Sequence, residues 1–312
     1  IGVFPKPDSI PLTDWFTKQH GNYTATYLDE LASTTDEALD AAVHDVVTAQ
    51  VDAGIDIPTD GEIRRENYIH YLCRHLAGID FENLGHRMIR GITPAMLPTI
   101  TGPITTTGDS PLPRDFRVAQ TATDRPVKIT LPGPMTIIDS TIDRYYFDDV
   151  SLGAELAAAI NKHVLALAGA GCRHIQIDEP VLARKPTVGL AHGIAQLDRC
   201  FDGLPEDVTR IAHACCGYPN YLDQDDYEKA DRHAYLEVAE ALDATSIQVL
   251  SLEDAHANND LAKLLPRFAS TTIALGVIGI ARSRVESVAE ICDRLEAALA
   301  YLPTDRLMAA PD

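Results

Sequence analysis

From residue 126 onward the chain repeats one cycle: a short apolar run ending in a turn or in acidic residues, then a stretch of helical period. "PVKITLPGP" is followed by "VSLGAELAAAINKHVLALAGAG", which closes on glycine, and "CRHIQIDEPVL" ends in Asp178 and Glu179. "VTRIAHACCG" precedes a helix over 230–242, "TSIQVLSLED" one over 258–265, and "TTIALGVIGI" one over 284–301, before a last extended run, "RLMAAPD". Upstream, "IGVF" is a first strand candidate. "STTDEALDAAVHDVVTAQVDAG" is a helix with Thr34 and Glu37 at capping-box spacing and Gly54 at its end, and "IDIPTDGE" is extended. Strands that alternate with helices this persistently form a parallel sheet covered by helices. Eight strand candidates in 312 residues predict a (β/α)8 TIM barrel in one domain over residues 1–312. A doubly wound open sheet is the alternative, opposed only by the lack of a G-x-G-x-x-G turn after an early strand. Residues 79 to 124 are the least regular, and "PAMLPTITGPITTTGD" reads as a hairpin excursion from the barrel.

The formal net charge of −20 argues against nucleic acid as a partner, because phosphates are bound by Lys and Arg. Six cysteines without regular spacing or a signal peptide predict free thiols in a reducing, cytoplasmic setting. The longest alanine-rich stretch is interrupted by Glu155, Asn161, Lys162 and His163, so a soluble protein without a membrane span is expected.

In a barrel the active site is built from the carboxyl ends of the strands. The second candidate ends in Asp60, Gly61 and Glu62, the fourth in Asp178 and Glu179, the fifth in His213, Cys215 and Cys216, and the sixth in Glu253 and Asp254. His213 and Cys215 are two apart on a strand and share a face, while Cys216 points the other way, toward a covering helix. Imidazole and thiolate suit zinc, and Glu253 on the adjacent strand would add a carboxylate oxygen. Asp178 and Glu179 alternate in direction, so at most one faces the barrel mouth; a plain strand-end salt bridge is the competing reading for them and for Glu62, with Arg64 and Arg65 alongside.

"IGVFPKP", "PTDGEIRRENY", "VKITLPGPMT", "IQIDEPVL", "HACCG", "LSLED", "LGVIGIARSRVESVAEI" and "RLMAAPD", in this order, resemble the catalytic domain of cobalamin-independent methionine synthases, most closely their short single-barrel relatives. The resemblance implies a zinc ion held by His213, Cys215 and Glu253, with a further cysteine expected just beyond Asp312, so that the sequence is expected to be cut at both ends. It implies a substrate thiol made nucleophilic by zinc, most simply homocysteine. Ile1, Gly2 and Val3 with Glu62 and Asp178 would hold the amino-acid end of that substrate, and Glu62 and Asp178 would be the catalytic carboxylates. The methyl donor would be a folate, another pterin or a corrinoid protein.

Two departures stand out. Val3 replaces a serine of the first motif, and Gly279 and Ala281 replace an aspartate and a histidine after the seventh strand candidate, the histidine being a proton carrier in the synthases. Three alternatives stand beside this one, the first implied by another branch of the resembled superfamily and the last by a related barrel. They are transfer of an epoxide's alkyl group to coenzyme M, a non-catalytic barrel, and a zinc-free decarboxylase of the uroporphyrinogen type using Arg282 and Arg284.

Overall fold

The computed structural model describes residues 2–13, 23–89, 93–217, 222–224 and 229–312, and the chain divides into two compact units. The N-terminal unit comprises Gly2–Gln176 with Arg199–Val208; the C-terminal unit comprises Ile177–Asp198 and Thr209–Asp312, together with Ile1, which lies outside the described residues.

The helix Asp36–Asp52 organises the start of the N-terminal unit. Its N-cap is Thr35 rather than Thr34: the Thr35 hydroxyl accepts the N–H of Ala38, while the Thr34 hydroxyl turns back to the carbonyl of Glu30. Leu39, Val43, Val46 and Val47 form its buried stripe, and Gly54, at φ +90°, ends it as the sequence predicts. Gln50, also buried, bonds both backbone groups of Thr59, donating to its carbonyl and accepting its N–H, each at 2.9 Å. The helix thereby fixes the loop that carries Asp60 and Glu62.

The first two strand candidates are not strands among the described residues. Residues 2–4 make no ladder, and residues 55–62 contribute one parallel bridge, Thr59 with Lys128. Side-chain and turn bonds replace the ladder: Thr59 Oγ1 donates to the Gly2 carbonyl at 2.8 Å, and Phe4 N–H to the Gly61 carbonyl at 2.9 Å. The excursion is a long antiparallel pair, β1 (Leu76–Ile89) with β2 (Thr93–Thr106). It starts earlier than the quoted run suggests, and a helix, Leu112–Thr121, occupies part of the segment read as irregular. After β3 (Lys128–Pro132), the short β4 (Ile142–Asp143) pairs with β2 in parallel. The helix Asp149–Gly169 is long and apolar enough to cross a membrane by composition, but half of its apolar window is buried inside the protein, as a core helix would be. The division between units falls within β5 (His174–Asp178).

In the C-terminal unit, β6 (Thr209–Ala214), β7 (Val249–Glu253), β8 (Thr272–Ile278) and β9 (Leu307–Pro311) are parallel neighbours in that order. The helices between them, Ala234–Asp243, Leu261–Leu264 and Val288–Leu299, are each shorter than predicted. Strands of this kind are near-continuous apolar runs, and every residue of β7 is buried, Glu253 included. Register then sorts the faces. Ile211, Val249 and Ala274 form an apolar floor with Met308 and Ala310 packed on it; two residues further along the same face of β6 and β7 come His213 and Ser251, which are cross-strand partners.

Candidate functional site

Because β6–β9 run parallel, their carboxyl ends share one edge of the sheet. Cys215 leaves β6 next to Glu253 at the end of β7; Glu253 pairs with Gly276 of β8, and Asp312 follows Pro311 of β9. His213 and Ser251 are cross-strand partners on one face, Glu253 lies two residues further along β7, and Cys215 is the first residue past the end of β6. His213 Nδ1 lies 3.0 Å from the Ser251 hydroxyl. Burial and the neighbouring Glu253 carboxylate push the Cys215 thiol up to about 12, so without a cation it stays protonated. Glu253 accepts the backbone N–H of Cys216 at 2.9 Å on one oxygen and the Lys229 ammonium on the other. Cys216 is buried, beside Tyr235 of the helix Ala234–Asp243, in the outward position expected of it.

One donor atom each from Glu253, His256 and Asp312 lies within 4.8 Å of the other two, a convergence that a metal ion could use. Asp312, however, is committed. Its Oδ1 accepts the N–H of Asp254 and Ala255, at 2.9 and 3.0 Å, and its Oδ2 accepts the N–H of His256 at 2.8 Å and faces His256 Nδ1 at 2.7 Å. Four contacts use the lone-pair directions of a carboxylate, so Asp312 is a clamp on the loop after β7. His213 and Cys215 stand on the same edge outside this triad. With Glu253 they supply the imidazole, thiol and carboxylate types that zinc accepts, although the donor atoms that converge among the described residues are those of Glu253, His256 and Asp312, and both Glu253 oxygens are engaged, by the Cys216 N–H and by Lys229.

The other predicted residues divide between the units. In the N-terminal unit Glu62 is buried and sits at φ +55°, a backbone strain that follows Gly61 at φ +66° and turns the carboxylate inward. Glu62 Oε1 accepts the Thr130 hydroxyl at 2.8 Å, and burial raises its pKa against the opposing charge of Arg65. Arg65, 2 % exposed, donates to Asp60 Oδ2 at 2.9 Å and to the Thr130 carbonyl at 2.8 Å. A Cβ on Gly2 would stand 2.5 Å from Glu62 Oε1, so Gly2 is the residue that lets the first segment approach this carboxylate, with Val3 next to it half-buried. In the C-terminal unit Asp178 and Glu179 are both buried, and the Glu179 N–H donates to the His213 carbonyl at 2.8 Å. Arg282 and Arg284, the residues a decarboxylase would need, are exposed, and Arg284 pairs with Glu290.

Sequence reasoning missed His256, Asp312, Lys229 and Thr130. For His256 a signal was present, three residues past Glu253 in "LEDAH"; for Lys229 and Thr130 there was none, since neither lies at a marked strand end.

Residues 1–312 match the family described as "Cobalamin-independent synthase, Catalytic domain". The methionine synthase of Pyrococcus furiosus is 28% identical over 319 residues, covering 100% of this chain and 84% of that protein. The methionine synthase of Sulfolobus acidocaldarius is 27% identical over 313 residues, covering 100% and 83%. Among solved structures, a B12-independent methionine synthase from Shewanella sp. W3-18-1, in complex with selenomethionine, is 29% identical with a TM-score of 0.84, covering 99% of this chain and 88% of that one.

Proposed function

Since the chain belongs to the cobalamin-independent synthase catalytic-domain family, we propose that it transfers a methyl group to the thiol of homocysteine to give methionine, with zinc held by His213, Cys215 and Glu253. The observation that carries this reading is the placement of imidazole, thiol and carboxylate at the carboxyl ends of two adjacent parallel strands. Bound there, zinc supplies the Lewis acidity that brings a thiol's pKa of about 8.5 down toward neutrality.

The chain's own residues do the rest. The Cys216 N–H and Lys229 fix the orientation of Glu253, and Ser251 fixes the His213 ring. Asp178, buried in the same C-terminal unit as these residues, is assigned to the substrate ammonium group. We take the whole to be a (β/α)8 barrel, a reading supported by the parallel strands with their intervening helices and by the likeness to the Shewanella enzyme.

The methyl donor fits a methyltetrahydropteroyl-type compound, the class named for a relative from Thermosynechococcus vestitus, a 5-methyltetrahydropteroyltriglutamate–homocysteine methyltransferase 27% identical over 323 residues, covering 100% of this chain and 39% of that protein. The corrinoid-protein donor, left open by the sequence, finds no support in a family defined as cobalamin-independent.

Metal analysis of Cys215→Ser tests the centre. The wild type is expected to carry about one zinc per chain and the variant to lose most of it, with homocysteine methylation reduced by about 100-fold or more. A variant that kept its activity after losing the Cys215 thiol would remove this residue from the mechanism.

A further inference from the structure

The short helix Val181–Arg184 brings a cation to the edge of the sheet and leaves it without a counterion. The Glu179 N–H, donating to the His213 carbonyl at 2.8 Å, ties the residue after β5 to β6, and the Leu182 N–H donates to the Glu179 carbonyl at 3.1 Å, so the helix starts from a fixed point. Val181, Leu182 and Ala183 are buried, and the helix packs against β6 and against the helix Ala234–Asp243, whose Tyr235 lies beside Cys216. Arg184, its last residue, is half-buried. Its guanidinium is close enough to Cys215 and Cys216 for its positive charge to oppose the burial that raises both thiols. Two other cations reach this edge and both are committed, Lys229 to Glu253 and Arg294 to Asp254. Arg184 has no hydrogen bond and no ion pair among the described residues. A guanidinium withdrawn from water without an acceptor costs stability, and its planar fork of donors is matched by an acid group that offers two oxygens side by side.

We infer that Arg184 reads the acidic group of the acceptor thiol, binding the carboxylate or sulfonate of a short alkanethiol so that acidic thiols are accepted over neutral ones. The inference rests on the methyltransferase reading above and deepens it by naming the residue that selects the thiol. Arg184, His213, Cys215 and Glu253 all belong to the C-terminal unit, so one compact body presents both the groups for the sulfur end and the cation for the acid end. The contact is an ion pair with two parallel hydrogen bonds, which supplies the half-buried guanidinium with the acceptors it lacks. An uncharged thiol of the same length leaves Arg184 as it stands and gains nothing from it. The formal net charge of −20 sharpens the need, because a chain of this sign repels an acidic substrate unless a local cation receives it.

The test is thiol binding, by isothermal titration into the zinc-loaded protein without methyl donor. Homocysteine and 2-mercaptoethanesulfonate are compared with 3-aminopropane-1-thiol, which is homocysteine without its carboxylate. In Arg184→Gln the Kd of the preferred acidic thiol is expected to rise by about 30-fold, the effect of losing a charged hydrogen-bonded pair, while that of 3-aminopropane-1-thiol stays within about two-fold and zinc content is unchanged. Arg184→Lys, which keeps the charge but loses the fork, should recover part of the loss and guards against a folding defect in the first variant. The tighter acidic thiol in the wild type identifies the group that Arg184 reads, a carboxylate if it is homocysteine and a sulfonate if it is 2-mercaptoethanesulfonate. Equal losses for all three thiols in Arg184→Gln, or no loss for any, would overturn the role of Arg184 while leaving the methyltransferase reading intact. A zinc-loaded wild type that binds none of the three would overturn both.

Discussion

At the scale of single residues, the geometry depends on a few atoms that are absent as much as on those present. Gly2 is the sharpest case in the N-terminal unit, because its missing Cβ is what the Glu62 carboxylate and Thr130 pack against. Gly2→Ala is expected to destabilise the protein by about 1–3 kcal/mol, the usual cost of forcing an extra methyl into a packed site. Thermal melting checks it; a Gly2→Ala variant that melts with the wild type would mean that Glu62 and Thr130 move aside at no cost. Arg65 shows the opposite economy. A guanidinium with almost no exposure is tolerable because Asp60 and the Thr130 carbonyl each accept from it and Glu62 lies 3.9 Å away.

At the scale of elements, parallel pairing converts sequence spacing into a site. The alternation along β6 and β7 aligns His213 with Ser251 and puts Cys215 beside Glu253, while the small residues Ala274 and Gly276 keep β8 low at the same level. Gly276 has a particular duty. A Cβ there would lie 2.2 Å from Asp312 Oδ1, so only glycine lets the carboxylate reach across to the N–H groups of residues 254–256. Gly276→Ala should therefore free the loop after β7. Hydrogen exchange of the Asp254, Ala255 and His256 amides is expected to accelerate at least ten-fold while β6 amides keep their protection, and global stability should drop by about 2 kcal/mol. Unchanged exchange would mean that the clamp forms by another route.

At the scale of the whole molecule, the buried ionisable groups set its response to acid. Burial pushes His70 and His163 down to about 4, so the folded protein holds both neutral where an unfolded chain would begin to protonate them near 6.5. Depressed histidines contribute stability that is complete above about pH 6.5 and lost as pH falls through about 4. Asp115 has the opposite sign. Burial, followed by the charge of Asp60, raises it to about 6 from 3.8, so its contribution is present below its unfolded value and lost as pH rises through about 6. Two histidines outweigh one carboxyl, and the melting temperature should fall by several degrees between about pH 6.5 and 4. His70→Gln should flatten that fall; a variant melting with the wild-type pH slope would exclude His70 as a source.

The sequence by itself determined the parallel α/β character of residues 126–312, the position of His213 near the end of one strand, and the presence of Glu253 on the next, because period-two alternation and strand–helix cycling are local properties. It misjudged residues 2–4 and 55–62, where apolar content suggested strands. There, side-chain bonds from Gln50 and Thr59 satisfy the backbone in place of a ladder. Only the tertiary structure decided that Asp312 clamps the loop after β7, that Lys229 sits on Glu253, and that the open nitrogen of His256 faces Gly279. Each of these joins residues 24 to 58 positions apart, or sets a side chain against a missing one. Such contacts depend on which strand ends the sheet brings side by side, and no local pattern in the chain encodes that.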